Sequence, residues 1–131
     1  MASILVIEDS DDNMKLFRAV LELAGHRVTG LADGEGLCQA IEESRPDLVL
    51  MDIQLPGADG FALLKVIRGL DRPYIPVVAL TAHAMAGDEA RALEAGFDGY
   101  ITKPIDVKGF PDHVVAVLSR REGPRFADGA S

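Results

Sequence analysis

The sequence has one cysteine, Cys38, so an internal disulfide is excluded as a source of stability, and a lone thiol fits a reducing compartment. No apolar run approaches the roughly 20 residues that a helix needs to span a bilayer. The opening MASILVIED meets acidic residues too early for a signal peptide. Cations are scarce: 13 Lys and Arg stand against 21 Asp and Glu, a formal net charge of -8. Such an acidic surface repels phosphate backbones and anionic lipid, which argues against nucleic acid and membrane as partners. Internal repeats and low-complexity blocks are missing too. These absences point to a cytoplasmic protein that works without crosslinks, anchors or nucleic acid.

What is present is a globular balance of 48% apolar and 26% charged residues over 131 positions, the size of one domain. Short runs rich in Ile, Val and Leu alternate with segments of helical period. The runs are ILVI (4–7), a more polar one at Arg27–Leu31, LVLM (48–51), VVAL (77–80) and YIT (100–102). Four of them lack period-two alternation, which suits strands buried on both faces of a parallel sheet. The run at Arg27–Leu31 suits an edge strand. Helices are predicted over 12–24, stopped by Gly25, and over 35–43, 59–69, 87–95 and 112–121. Pro111 would clash inside a helix that began at Val107, so the last helix is predicted to start near Phe110 or Pro111. After Leu118 the text SRREGPRFADGAS loses periodicity, giving a domain over 1–119 and a disordered tail over 120–131. Five β-α units with right-handed crossovers make an α/β fold, an open five-stranded parallel sheet with helices on both faces.

Such sheets bind ligands outside the carboxyl ends of their strands. The first predicted strand ends in Glu8-Asp9, the third in Asp52 and the fourth in Thr81, and Lys103-Pro104 follows the fifth. Three carboxylates, a hydroxyl and an ammonium therefore converge on one edge. Glu8, Asp9 and Asp52 sum to -3, and Lys103 leaves -2. Two carboxylates about 4 Å apart repel by roughly 4 kcal/mol at an effective dielectric near 20. The cluster must either hold a proton or bind a divalent cation. An all-oxygen donor set favours Mg²⁺, which brings the charge to zero.

Plainer roles account for the other candidates. Asp11 and Asp12 stand where an N-cap and first-turn acids belong, so part of the EDSDD run serves the helix. A calcium loop fails, because Met14 occupies its glycine position and Val20 its bidentate glutamate. His26 and His113 have no ligand-spaced companions for zinc. Gly34-x-Gly36 lacks the third glycine of a dinucleotide fingerprint and follows the wrong strand. Cys38 and Met85 read as packing residues.

The set IED, LVLMDIQLPGADG, VVALTA and YITKP resembles the receiver domain of bacterial two-component response regulators, and the resemblance spans residues 3–119. It implies a flavodoxin-like sheet in strand order 2-1-3-4-5. It implies Asp52 as the phosphoacceptor, with Mg²⁺ held by Glu8, Asp9, Asp52 and the main-chain carbonyl of Gln54. Thr81 and Lys103 would contact the phosphoryl oxygens, and Tyr100 would turn inward with Thr81 in the active state. The Lys103-Pro104 bond is usually cis in such domains. The partners implied are a histidine kinase or histidine phosphotransfer protein, docking near Asp11–Val20 and Pro104–Asp106, and a downstream protein target. The segments NMKLF, MDIQLP and TAHAMAGDE resemble the single-domain cell-division regulators within the family. The text ends where a receiver ends, so a stand-alone receiver is expected, a signalling protein with only slow self-phosphorylation and autodephosphorylation.

Gln54 and His83 depart from the commonest receiver pattern. Each lies two residues after a site residue, facing the water path to the phosphoryl group, and is expected to tune hydrolysis. Two rivals remain. An aspartyl-nucleophile phosphatase of the haloacid-dehalogenase type needs a second aspartate two residues after the first, but Gln54 stands there and cannot act as the acid. A receiver used only as a phosphorylation-independent adaptor would have no need of the full set of acids, Thr81 and Lys103.

Overall fold

The computed structural model describes residues 2–55, 58–70, 74–81, 87–103, 105 and 107–122. The elements run β1 (Ser3–Ile7), α1 (Asp11–Leu23), β2 (Arg27–Leu31), α2 (Leu37–Ser44), β3 (Leu48–Asp52), β4 (Gln54–Leu55), β5 (Ala58–Asp59), α3 (Gly60–Arg68), β6 (Val77–Thr81), α4 (Asp88–Ala95), β7 (Gly99–Thr102) and α5 (Phe110–Glu122). Five strands form one parallel sheet in the order β2-β1-β3-β6-β7, which is 2-1-3-4-5 among the long strands. The order reverses beside β1, so the carboxyl ends of β1 and β3 flank the crevice where such sheets take ligands.

Strand alternation sorts the core into two layers. Leu5, Ile7, Val49 and Met51 pack with Leu37, Ile41, Leu64, Ile67 and Ala92 from α2, α3 and α4. Ile4, Val6, Leu48 and Leu50 face the other way, against Phe17 and Leu21 of α1 and Phe110, Val114 and Val117 of α5. β1, β3 and β6 each read as unbroken apolar runs because both their faces are covered. β2 is an edge strand, as its polarity suggests. Arg18 reaches from α1 to donate to the Val28 carbonyl at 3.2 Å, which blunts that edge.

Helix ends differ from expectation in instructive ways. Ser10, rather than Asp11, is the N-cap of α1: it has extended dihedrals (φ -84°, ψ 121°), and its hydroxyl accepts from the Asn13 N–H. Asp11 and Asp12 fill the first turn, where they complement the helix dipole. α2 ends on Arg45 at φ 46°, a left-handed cap made without glycine. The start of α5 falls as expected, at Phe110, which leaves Pro111 in the first turn, where a missing N–H costs nothing. It continues to Glu122, past the point where periodicity fades, because Phe110, Val114 and Val117 anchor one face. The remainder of the predicted tail, residues 123–131, lies outside the described residues. No helix among the described residues is long and apolar enough to cross a membrane.

Candidate functional site

The site is assembled at the carboxyl ends of β1, β3, β6 and β7. Main-chain bonding carries the β1 ladder one residue beyond the strand, with the Glu8 N–H donating to Leu31 at 2.9 Å. Glu8 is thereby held inside the domain at 1% exposure, and Asp52, the last residue of β3, is 3% exposed. Asp9, one residue on, is exposed. Carboxylate oxygens of Glu8, Asp9 and Asp52 lie within 4.8 Å of one another, the spacing of a shared cation. The three acids expected from sequence are together.

Lys103 reaches into this cluster from the end of β7. Its Nζ donates to Asp52 Oδ2 at 2.8 Å and to Glu8 Oε1 at 3.0 Å. Its main-chain N–H donates to the Thr81 carbonyl at 2.7 Å, which fixes where the side chain starts. Burial works against the ammonium. The hydrogen bonds to Asp52 and Glu8, with the charge of both carboxylates, outweigh that cost and hold the lysine above its ordinary value. Lys103 is therefore a fixed positive charge at any physiological pH.

Thr81 ends β6 beside Asp52's strand and is buried at 1% exposure. Tyr100, opposite Ala79 in the ladder, is half-buried against the core layer under α2, α3 and α4. The Gln54 backbone follows Asp52 by two residues in β4, where it pairs with Asp59. His83, Pro104 and the geometry of the Lys103-Pro104 bond lie outside the described residues.

Sequence reading missed two supports. Ser10 donates its N–H to Glu8 Oε2 at 3.1 Å, so the residue that caps α1 also orients a buried acid. The signal was present in the Glu-x-Ser spacing but looked like ordinary capping. The two-residue ladder of β4 and β5 is the second; strands so short have no periodicity to detect. A groove of about 530 Å³ also runs between β2 and α2, lined by Thr29, Leu31, Gln39 and Glu43. It holds none of the candidate residues, and the convergence of the acids on Lys103 locates the site instead.

The family described as response regulator receiver domain matches residues 4–114. The polar-differentiation response regulator DivK of Brucella anthropi is 41% identical over 117 residues, 88% of this chain and 95% of that protein. The BeF3-activated N-terminal receiver domain of Klebsiella pneumoniae RstA superposes with a TM-score of 0.80 at 30% identity, over 88% of this chain and 97% of that one. The signal receiver domain of a histidine kinase from Syntrophus aciditrophicus gives 0.81 at 32% identity, over 94% of each chain. Strand order, the convergence of acids and lysine on one sheet edge, and these likenesses agree: the chain belongs to the response regulator receiver domain family, a family of signalling proteins rather than conventional enzymes.

Proposed function

We propose that this protein accepts a phosphoryl group on Asp52 from a histidine kinase or a histidine phosphotransfer protein, in a Mg²⁺-dependent reaction, and signals through protein–protein contacts. One observation carries the reading: a buried Asp52 carboxylate bonded at 2.8 Å to a buried ammonium, within a three-carboxylate cluster. The oxygen donor set and the residual charge of -2 suit a hard divalent cation. Glu8, Asp9, Asp52 and the main-chain carbonyl of Gln54 would hold it. Bound there, Mg²⁺ supplies the positive charge that the phosphoryl oxygens need.

An Asp52 carboxylate oxygen attacks phosphorus, the bond from phosphorus to the donor's imidazole nitrogen breaks, and the electron pair returns to that ring. The product is an acyl phosphate. Phosphoryl transfer depends on alignment and charge neutralisation more than on a strong nucleophile, and buried, hydrogen-bonded Asp52 meets that need. Lys103 turns from the carboxylate to a phosphoryl oxygen, and the Thr81 hydroxyl donates to another. Movement of Thr81 frees the space into which Tyr100 turns, so a local change in charge biases a two-state element. The outward face of Asp11–Val20 and residues 104–106 are the docking surface for the phosphodonor. Gln54 and His83, two residues after Asp52 and Thr81 in the sequence, tune the lifetime of the acyl phosphate. Slow self-phosphorylation and autodephosphorylation are the only reactions expected of the protein alone.

The Brucella relatives are named as polar-differentiation regulators, and control of cell division is the role proposed here. The match covers 95% of that relative, which supports a receiver that acts as a single domain; the place proposed for it is the cytoplasm. Incubation with acetyl phosphate and Mg²⁺ tests the reading. An acid-stable, base-labile adduct is expected. Rapid turnover of many phosphate esters would instead mark a phosphatase. Neither adduct nor any response to beryllofluoride would mark a phosphorylation-independent adaptor.

A further inference from the structure

Gly60, the first residue of α3, lies against the backbone of Ile53, the residue that follows Asp52. A Cβ built on Gly60 would stand 2.6 Å from Ile53 Cα and 3.1 Å from Ile53 Cβ and Cγ2. Gly60 is not among the glycines with positive φ, so its backbone alone does not require glycine. Space does. The atom in the way is main chain, which cannot rotate aside as a side-chain tip can.

The surrounding bonds show what this close approach holds. The Ile53 N–H donates to the Leu80 carbonyl at 3.0 Å, and the Gly60 N–H donates to the Ile53 carbonyl at 3.4 Å. Beyond that base, Gln54 pairs with Asp59 and Leu55 with Ala58. Ile53 is thus gripped between β6 on one side and the start of α3 on the other. The turn from Asp52 to Gln54 has its position set by both.

Resting on the phosphoacceptor reading above, we propose that Gly60 is a positioning residue for chemistry at Asp52: the absent side chain lets α3 press on Ile53, which fixes the Asp52 carboxylate and the Gln54 carbonyl relative to Lys103. A Cβ there displaces Ile53 and both neighbours by a fraction of an ångström or more. Displacements near 1 Å at a reacting group can lower rates by about 100-fold.

The test uses Gly60→Ala in the full chain, with Gly34→Ala as control. At Gly34 the nearest atoms to a Cβ all belong to the flexible Leu63 side chain, from 2.8 Å, rather than to the main chain. Three readouts are taken: the apparent affinity for Mg²⁺ by calorimetry, the rate of labelling by acetyl phosphate, and hydrogen exchange of the Ile53 amide without metal. G60A is expected to lose at least about tenfold in Mg²⁺ affinity and in labelling rate, with faster exchange at Ile53. G34A is expected to keep all three within twofold at a similar or greater loss of Tm. Adding Ile53→Ala to G60A separates backbone from side-chain crowding, and no rescue is expected because the obstacle is Cα. Wild-type labelling with undiminished labelling and Mg²⁺ affinity in G60A, or full rescue by I53A, overturns the proposal. Absence of labelling in the wild type overturns the phosphoacceptor reading instead. If G60A fails to fold, the wild type is read instead: Mg²⁺ is expected to slow exchange of the Ile53 and Gly60 amides together, and slowing at Ile53 with Gly60 unchanged overturns the proposal.

Discussion

Replacing Lys103 with methionine removes an ammonium that two buried carboxylates share. Its Nζ lies 2.8 Å from Asp52 and 3.0 Å from Glu8, and the lysine side chain is 10% exposed. Gross attraction at such distances is about 5–6 kcal/mol per pair at an effective dielectric near 20. Most of it offsets desolvation, so the informative quantity is the cost of breaking a buried pair, about 3–5 kcal/mol. We expect K103M to lose about 3 kcal/mol, the lower end, because Asp9 opens the cluster to water. The sign with pH is definite. The lysine is held above its ordinary value in the fold, so its contribution is fully present below about pH 10.4 and is lost as pH rises through the folded value. At neutral pH the full loss is read.

Metal dependence then discriminates the cause. The variant cluster carries -3 rather than -2, and a ligand at a hundred times its Kd adds about 2.7 kcal/mol to stability. The more negative variant should bind Mg²⁺ more tightly, so Mg²⁺ should narrow the gap between K103M and wild type and raise the Tm of the variant more than that of the wild type. Urea and thermal unfolding in EDTA and in saturating Mg²⁺ supply the four values. Equal Mg²⁺ effects in both proteins, or no loss in EDTA, would refute the electrostatic account of the cluster.

Three further predictions concern separate parts of the molecule. Arg68 donates to the carbonyls of Ile75 and Gly96 and to Asp98 Oδ2, and stacks on Tyr74, joining α3 to the ends of α4 and β7. R68M and D98N should each cost about 2–3 kcal/mol in urea unfolding, and the double variant clearly less than the sum, because both break one network; strict additivity would contradict this. His26 Nδ1 accepts from the Ala2 N–H, and burial holds the imidazole below its ordinary value. The unfolded chain therefore binds the proton first. Stability should fall as pH drops below about 6.5, and H26N should remove that slope; an identical pH profile in H26N would count against it. Substituting Gln54 or His83 should change the half-life of phosphorylated Asp52 without preventing its formation, measured by timing phosphate loss, and unchanged lifetimes in both variants would sink the idea.

Much of this fold was legible because its strands are buried on both faces. ILVI, LVLM and VVAL stand out as unbroken apolar runs, and the helices between them carry clear amphipathic spacing. The site was legible for a related reason: a parallel sheet sends every strand's carboxyl end to the same edge, so Glu8, Asp9, Asp52, Thr81 and Lys103 must gather there. What the residues alone did not reveal was which acid is buried. Glu8 and Asp9 look equivalent in the text, yet one further ladder bond to Leu31 draws Glu8 inside and leaves Asp9 in solvent. Nor could it show that Ser10 rather than Asp11 caps α1, since both side chains can cap and only the extended dihedrals decide. The contact between Gly60 and Ile53 was hidden for a different reason. It arises from the closing of β4 on β5, a ladder of two residues that carries no hydrophobic period.

Signalling by this protein, as proposed, depends on Asp52 being the phosphoacceptor of a Mg²⁺-dependent transfer. Mass spectrometry of wild type and Asp52→Asn after exposure to acetyl phosphate, with Mg²⁺ or with EDTA, tests it most directly. A gain of one phosphoryl group is expected on the peptide containing Asp52, in wild type with Mg²⁺ only. Equal labelling of D52N, or labelling of wild type that is indifferent to EDTA, would contradict it.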